Sequence, residues 1–343
     1  MKVDATFNPE GPVDTRAVAV GAEHAGYAAV WTSETKHDPF IAVSLAASAT
    51  DTIEVGTAIT VAFARNPMTT AVAANDVQLL SRGRLLLGLG SQIKAHISRR
   101  FSMPWSHPAP RMREYILAMR AIWDCWNTNT PLDFRGEYYS HTLMTPFFSP
   151  GPNPYGAPRV LLAGVGEVMT RVAGEVADGF LCHGFTTETY LRTVTVPALE
   201  EGRAAAGRTD GLAGFDVVGA PFVATGRDEE QIARACRGVR EQIAFYASTP
   251  AYRPVLEAHG WGGLSDELHA MSVAGRWREM GEAIDDDVLN AFCVVAEPDR
   301  VAGELLRRYG DVMTRISLYT PAELDADVVD QVVSDLRAGG SAG

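Results

Sequence analysis

The sequence contains no apolar run that approaches the roughly 18 residues needed to cross a membrane as a helix. Its opening residues also differ from a secretory signal, because Asp4 stands where such a signal would be apolar. We therefore expect no membrane association and a cytoplasmic location.

Cysteine and positive charge are also scarce. The four cysteines of the 343 residues are widely spaced and form no C-x-x-C pair, so neither a zinc site nor a disulfide framework is indicated. Lysine and arginine number 30 against 42 acidic residues, for a formal charge of −12. A nucleic-acid backbone requires clustered cations, so this balance favours a small-molecule ligand instead.

Several catalytic motifs are absent as well. Outside the glycine-rich tail 339–343, the sequence has no G-x-S-x-G serine motif, and it has no dinucleotide G-x-G-x-x-G and no phosphate-binding G-x-x-x-x-G-K-[ST]. His96, His107 and His183 stand alone, without carboxylates at metal-ligand spacing. We expect no metal site.

What the sequence does contain is a regular alternation of strands and helices. Short apolar runs alternate with segments of helical periodicity, and such alternation favours a parallel sheet. Eight strands favour a closed (β/α)8 TIM barrel over an open sheet. The predicted strands are Val3–Phe7, Tyr27–Trp31, Ile53–Ile59, Arg84–Leu87, Val160–Ala163, Phe180–His183, Phe215–Val223 and Ile316–Tyr319.

Two long irregular stretches interrupt this pattern. We interpret residues 1–338 as a single barrel domain with insertion segments at about 92–158 and 249–290, the first with a small hairpin at Gly136–Tyr139. The glycine-rich tail, 339–343, is predicted to be disordered.

In such a barrel the active site is built from the loops that follow the strands. Phe7 and Asn8 follow the first strand. Glu34 and His37 lie after the second strand, in a loop with four ionisable groups that is either a proton-transfer site or a solvated charged loop. We treat both as candidate catalytic residues.

Two glycine-rich segments follow other strands. Gly88, Gly90, Ser91 and Gln92 follow the fourth strand, where glycines allow the backbone to approach a ligand or serve a local turn. Another segment, after the fifth strand, precedes a helix whose amino end favours an anion such as a phosphate. Its members are Ala163, Gly164, Val165 and Gly166.

Together these features resemble the bacterial luciferase-like superfamily, and within it the oxidoreductases that use the deazaflavin coenzyme F420. The resemblance covers nearly the whole chain. It rests on residues 26–31 (GYAAVW), 55–59 (VGTAI), 65–67 (RNP), 80–90 (LSRGRLLLGLG) and 177–180 (ADGF).

The resemblance implies a site for the coenzyme at the carboxyl end of the barrel. In that family the third strand ends in a bulge, often with a non-proline cis peptide, which supports the ring of the coenzyme. Here the bulge falls at Ala58 and Ile59. The phosphate-binding backbone corresponds to 163–166, with His183 after the next strand, and a homodimer is expected.

The chain also departs from part of that family. Its sugar-phosphate dehydrogenases carry Asp-His after the second strand and Glu soon after the fourth, whereas this chain has Ser33-Glu34-Thr35 and Ser91-Gln92-Ile93. This difference argues against a sugar-phosphate substrate and makes Glu34 or His37 hypotheses for proton transfer.

The expected function is hydride transfer between reduced coenzyme F420 and a small organic substrate. Two alternatives stay open from the sequence. One is an FMN-dependent luciferase-like monooxygenase, and the other is a non-catalytic protein that binds a flavin or deazaflavin.

Overall fold

The computed structural model describes residues 1–7 and 12–340, which contain fourteen strands and fourteen α-helices. The strands are β1 Lys2–Val3, β2 Ala5–Thr6, β3 Ala29–Thr32, β4 Glu54–Thr57, β5 Thr60–Val61, β6 Leu85–Gly90, β7 Phe134–Arg135, β8 Ser140–His141, β9 Arg159–Gly164, β10 Gly179–Cys182, β11 Asp216–Gly219, β12 Phe222–Ala224, β13 Cys293–Val295 and β14 Arg315–Ile316.

The helices follow most of the strands in turn. They are α1 Thr15–His24, α2 Pro39–Ala49, α3 Pro67–Leu80, α4 Pro108–Thr128, α5 Glu167–Val176, α6 Glu188–Tyr190, α7 Val196–Ala205, α8 Glu229–Ala247, α9 Arg253–Glu257, α10 Gly262–Val273, α11 Trp277–Met280, α12 Asp286–Phe292, α13 Pro298–Tyr309 and α14 Ala326–Gly340. The chain also forms two π-helical turns, at His96–Arg100 and Leu191–Thr195.

The large sheet is parallel and nearly closed. Its order is β1, β14, β11, β10, β9, β6, β4, β3, β2, with β5 paired to β6. Because β1 and β2 flank Asp4 in one chain segment, these nine strands come from eight chain segments arranged around a barrel. The predicted (β/α)8 fold is therefore confirmed, and it places the loops after the strands at one rim.

A buried ion-pair network joins the segments that close the barrel. Arg315 on β14 donates to both oxygens of Asp4, at 2.8 and 2.9 Å, and its third nitrogen donates to Glu54 at 2.6 Å. The indole of Trp31 also donates to Asp4, at 2.9 Å. Burial opposes the charge on Arg315, but attraction to Asp4 and Glu54 raises the pKa of the guanidinium above its ordinary value.

Side-chain caps fix the helices that border two of the rim loops. Asp38 accepts from the amide of Phe40 at the start of α2, and Asn66 accepts from the amide of Thr69 at the start of α3. Both helices begin with proline, which suits a first helical position because the missing N–H has no partner there. The loops after β3 and β5 are thus anchored at both ends.

The structure also differs from the sequence-based expectations. The fourth strand continues through two glycines to Gly90, because β6 pairs with both β5 and β9 along that length. An additional strand, β13, pairs with β12. The predicted hairpin is present as β7 and β8, which pair antiparallel around residues 136–139.

The tail is predicted from the sequence to be disordered from residue 339, but residues 339 and 340 are helical. Helix α14 continues through Gly340, where Gly339 contacts Leu306 and the carbonyl of Gly340 accepts from the amino group of Met1. Residues 341–343, like the candidate Asn8, lie outside the described residues. Within the described part of the chain, no helix is long and apolar enough to span a membrane.

Candidate active site at the barrel rim

The interior of the barrel is filled just below the rim. One buried layer comprises Ala29, Trp31, Leu86, Leu161, Leu181 and Val218. Ala58, Ile59 and Ala163 pack on this layer while remaining partly exposed. The strands therefore end on an apolar floor, and two predicted cofactor-binding segments meet on it.

The segment between β4 and β5 is a bulge whose Ala58–Ile59 peptide is cis, at the position that the family resemblance implies. Hydrogen bonds from the loop after β3 fix it: Ser33 Oγ donates to the carbonyl of Ala58 at 2.9 Å, and the amide of Glu34 donates to the carbonyl of Ile59 at 3.1 Å. The hydroxyl of Thr60 is buried and has no hydrogen-bond partner among the described residues.

An ion-paired group, which we name the bulge clasp, comprises Glu34, Asp38 and Arg65. The carboxylate of Glu34 accepts from the amide of Val61 at 2.7 Å and from Arg65 Nη1 at 2.6 and 2.8 Å. Arg65 also donates to Asp38 at 2.7 Å. The side chains of Glu34 and Arg65 are only 7% and 18% exposed, so water screens this pair weakly.

This arrangement bears on the two candidate catalytic residues. Both oxygens of Glu34 accept hydrogen bonds that secure the bulge, which is a positioning geometry. His37 lies exposed in the same loop. The loop after β3 thus combines one buried, ion-paired carboxylate with one exposed imidazole.

Gly88 and Gly90 are required by the packing of the protein itself. A Cβ on Gly88 would lie 1.8 Å from the carbonyl oxygen of Thr57, and one on Gly90 would lie 2.4 Å from the Ile59 side chain. Thr57 Oγ1 additionally bonds both the amide and the carbonyl of Gly88. These glycines therefore allow β6 to lie directly against the bulge.

The residues that follow these glycines turn the chain away from the barrel. Gln92 adopts a positive φ of 59°, and its side chain accepts from the amide of Ile93 at 3.0 Å. Ser91 donates to the carbonyl of Gln92 at 3.1 Å. Ser91 and Gln92 thus form a turn at the end of β6 that is fixed by local hydrogen bonds.

The segment after β9 leads directly into helix α5. Gly164 lies against Met169 and Phe180, whereas a Cβ on Gly166 would meet nothing within 4 Å. The carbonyl of Val165 accepts from the hydroxyl of Tyr190 at 3.1 Å, which fixes the loop from the side. Open space therefore faces the amino end of a ten-residue helix, where unpaired backbone amides attract anions.

His183 follows β10 and lies in an aromatic cluster. Its Nδ1 accepts from the amide of Phe185 at 3.0 Å, so the single proton of the neutral ring is on Nε2, which lies 3.1 Å from the hydroxyl of Tyr252. The ring of Tyr246 packs edge-on against it at 4.7 Å. Burial lowers the pKa of His183 to about 4, which keeps the ring neutral at physiological pH.

Two further tyrosines complete this side of the rim. The hydroxyls of Tyr246 and Tyr319 lie 3.1 Å apart, and Tyr319 packs over Gly184. Burial raises the pKa of Tyr252 to about 12 and also raises that of Tyr319. The phenols of Tyr252 and Tyr319 are therefore protonated at neutral pH.

Two other kinds of site could occur at such a rim, a thiolate nucleophile and a metal centre. Burial raises the pKa of the Cys182 thiol to about 12, so it is not a thiolate nucleophile. Among residues 1–7 and 12–340, no group of histidine, cysteine, aspartate and glutamate side chains could hold a metal ion.

Sequence reasoning missed several residues of this site. Arg65 entered only as part of a family motif, and Tyr246 and Tyr252 lie in or beside a stretch interpreted as an insertion. Tyr319 is the final residue of the last predicted strand, so its position alone could have marked it. No local signal marked Thr60.

Comparison with known proteins agrees with this architecture. The family model described as luciferase-like monooxygenase matches residues 3–315. An uncharacterized protein of Mycobacterium tuberculosis is 53% identical over 316 residues, 92% of each chain. An F420-dependent glucose-6-phosphate dehydrogenase of Amycolatopsis mediterranei is 31% identical over 283 residues, which cover 78% of this chain and 80% of that enzyme.

Among solved structures, the coenzyme F420-dependent tetrahydromethanopterin reductase of Methanopyrus kandleri has the same fold. Its TM-score is 0.80 at 20% identity, with 98% of this chain and 99% of that chain covered. At this level of identity the likeness bears on the fold alone.

Proposed function

Because the chain belongs to the luciferase-like monooxygenase family, we propose that it is an oxidoreductase that transfers a hydride between reduced coenzyme F420 and a small organic substrate. The observation that carries the proposal is the bulge at Ala58 and Ile59, which the bulge clasp holds above an apolar floor. The F420-dependent relative, at 31% identity, favours this coenzyme.

The residues at the rim fit a flat ring with an anionic tail. Ala58 and Ile59 would support the ring, and the buried, unpartnered hydroxyl of Thr60 lies at the same bulge. The open backbone of 163–166, at the amino end of α5, would bind a phosphate of the tail. Gly88, Gly90, Ser91, Gln92 and His183 would border the ring.

When bound, the deazaflavin would supply or accept the hydride. The residues of the chain would orient it, exclude water and move a proton. Glu34 is ion-paired with Arg65 and accepts a hydrogen bond from the amide of Val61, so we assign it a structural role, which is to hold the bulge in place. His37 remains a hypothesis for proton transfer, and replacement by alanine tests it through turnover with coenzyme binding as the control.

The experiment that tests the function is a fluorescence titration of the coenzyme-free protein with coenzyme F420 and, in parallel, with FMN. We expect micromolar or tighter saturation by F420 and weaker binding of FMN. Preferential binding of FMN, with oxygen consumption in the presence of a flavin reductase, would replace the proposal by an FMN-dependent monooxygenase, which the family description also favours.

We also propose that the protein is a homodimer. Phe147 and Phe148 are 89% and 72% exposed and lie near the exposed Val72 of α3, an apolar area larger than isolated surface residues explain. Sedimentation equilibrium should give twice the chain mass. A Phe147→Ser/Phe148→Ser double variant should shift the protein toward monomer, and a monomeric parent protein would refute the proposal.

A further inference from the structure

The rim above β9 to β14 has almost no positive charge. Its described loops comprise residues 163–166, 183–187, 220–221, 225–228 and 317–325, in which the only lysine or arginine is Arg227. The segment that contributes Tyr252 adds Arg253, which is ion-paired with Glu257 and Asp266. The guanidinium of Arg227 is ion-paired with Asp327. An anionic substrate would find no unpaired lysine or arginine there, so this side of the rim suits an uncharged one.

Strand periodicity places His183 beside the coenzyme-binding bulge. Leu181 on β10 belongs to the buried layer inside the barrel, on which Ala58 and Ile59 pack. Side chains two residues apart on a strand lie on the same face. His183 directly follows β10, so the alternation continued by one residue beyond Cys182 assigns it to the same, inner face as Leu181. His183 and the bulge thus both lie next to the layer that contains Leu181.

The hydrogen bonds at His183 have a defined direction. His183 Nδ1 accepts a hydrogen bond from the amide of Phe185, so the ring proton is on Nε2. The Nε2–H group therefore donates a hydrogen bond to the phenolic oxygen of Tyr252. With its oxygen accepting from His183, Tyr252 directs its own proton away from the imidazole. The phenol is thus oriented as a donor.

We propose that Tyr252, oriented by His183, donates the proton that accompanies hydride transfer to an uncharged ketone or aldehyde. This inference rests on the proposed function, which supplies the reduced deazaflavin. In it His183 is a positioning residue, while Tyr252 contacts the reacting oxygen.

The atoms and electrons of this step balance. The reduced deazaflavin would supply the hydride that forms the new C–H bond at the carbonyl carbon, would thereby be oxidised by two electrons, and would release its ring N–H proton to solvent. The carbonyl π pair moves to oxygen, which takes the phenolic proton of Tyr252. The tyrosinate accepts the hydrogen bond from His183 Nε2–H until solvent returns a proton.

The chemistry of the phenol suits this role. Burial raises the pKa of Tyr252 to about 12, so the proton is present at neutral pH. A secondary alkoxide is still more basic, so transfer to it is favourable. Removing a positioned general acid typically lowers the rate by about 100-fold or more.

The test compares Tyr252→Phe with a matched control, Tyr246→Phe. Both variants remove one phenolic hydroxyl from the same aromatic cluster, but the hydroxyl of Tyr246 faces Tyr319 rather than His183. Coenzyme F420 binding, measured by fluorescence, should be retained by both variants. Nitrogen-15 NMR of histidine in the coenzyme-free protein should show the His183 Nε2–H signal shifted in Tyr252→Phe and not in Tyr246→Phe.

Turnover is then measured with reduced coenzyme F420 and a panel of ketones: butanone, cyclohexanone, acetophenone, dihydroxyacetone and dihydroxyacetone phosphate. The last two form a matched neutral and charged pair, and we expect the neutral one to be reduced at least about tenfold more efficiently. Tyr252→Phe should lower kcat by about 100-fold with little change in KM, and Tyr246→Phe far less. His183→Gln, which keeps a side-chain N–H donor, should retain more activity than His183→Leu.

The outcomes separate the two proposals. Failure of coenzyme F420 to bind the parent protein overturns the proposed function, and this inference with it. Coenzyme binding without reduction of any ketone in the panel overturns the inference alone. Equal losses in the two phenylalanine variants, or preference for dihydroxyacetone phosphate, overturn it as well.

Discussion

The bulge clasp makes a quantitative prediction about Glu34. Replacement by glutamine preserves the size of the side chain and one oxygen that can accept from the amide of Val61. The negative charge of Glu34 opposite Arg65 is lost, however, and the ion-pair partner that Arg65 keeps is Asp38, whose side chain is 43% exposed. The change therefore isolates the ion pair from the shape of the site.

The magnitude follows from burial. Removing one partner of a fully buried pair costs about 3–5 kcal/mol. Arg65 is 18% exposed and retains a second, more solvated carboxylate, so we expect Glu34→Gln to lower the free energy of unfolding by about 2 kcal/mol. Because the bulge would also lose an anchor, the affinity for coenzyme F420 should fall, at about tenfold for each 1.4 kcal/mol of lost support.

Urea unfolding and fluorescence titration measure the two effects. Glu279→Gln is the matched control, since Glu279 is ion-paired with Arg276 on the surface, where such pairs contribute little. We expect it to change neither quantity. A double-mutant cycle with Arg65→Met reports the coupling between Glu34 and Arg65 directly.

Two results would refute this reasoning. A coupling energy below about 0.5 kcal/mol would mean that the pair is energetically unimportant. If the Glu34→Gln protein were destabilised but kept its full affinity for the coenzyme, the bulge clasp would not be needed for coenzyme binding at the bulge. Loss of turnover with unchanged stability and affinity would instead return Glu34 to a direct catalytic role.

Two further predictions concern stability. Gly88→Ala places a Cβ 1.8 Å from the carbonyl oxygen of Thr57 and should cost about 3 kcal/mol or more, whereas Gly21→Ala, on a helix with open space, should stabilise by up to about 1 kcal/mol; thermal unfolding distinguishes them. For Glu23, burial opposes ionisation, but hydrogen bonds from residues 51–53 lower the pKa of the carboxyl group to about 2. These hydrogen bonds therefore stabilise the folded protein above pH 4.5, and that stabilisation is lost as the pH falls from 4.5 to about 2. Glu23→Gln should therefore lose less stability than the parent protein over that interval, and an unchanged acid-unfolding slope would contradict this.

The barrel could be predicted because its signals are local. Each of the eight predicted strands overlaps an observed one, since a buried parallel strand is a short apolar run bordered by turn residues. The bounds differ most at Ile316–Tyr319, which shares only Ile316 with β14, and at Phe215–Val223, which is divided into β11 and β12. The strand β13 was missed because Cys293–Val295 is only three residues long and directly follows a helix. Its pairing with β12 is set by the tertiary fold.

The chemistry of the rim was less accessible from the sequence. Glu34 attracts attention as an ionisable residue in a strand-end loop, but its partner Arg65 is 31 residues away, and the pairing depends on how β4 and β5 turn. Tyr252 is 69 residues from His183 and comes from a segment outside the regular alternation. Long-range pairs of this kind decide which group holds the site and which group reacts.

The closing ion pair of the barrel has a consequence for synthesis of the protein. Asp4 and Arg315 are separated by 311 positions, and both side chains are fully buried in the finished fold. During translation, Arg315 is synthesised 311 residues after Asp4, so the ion pair between them cannot form until those residues have emerged. The nascent barrel is thus an open, aggregation-prone sheet for most of its time on the ribosome, and its maturation depends on the last strand.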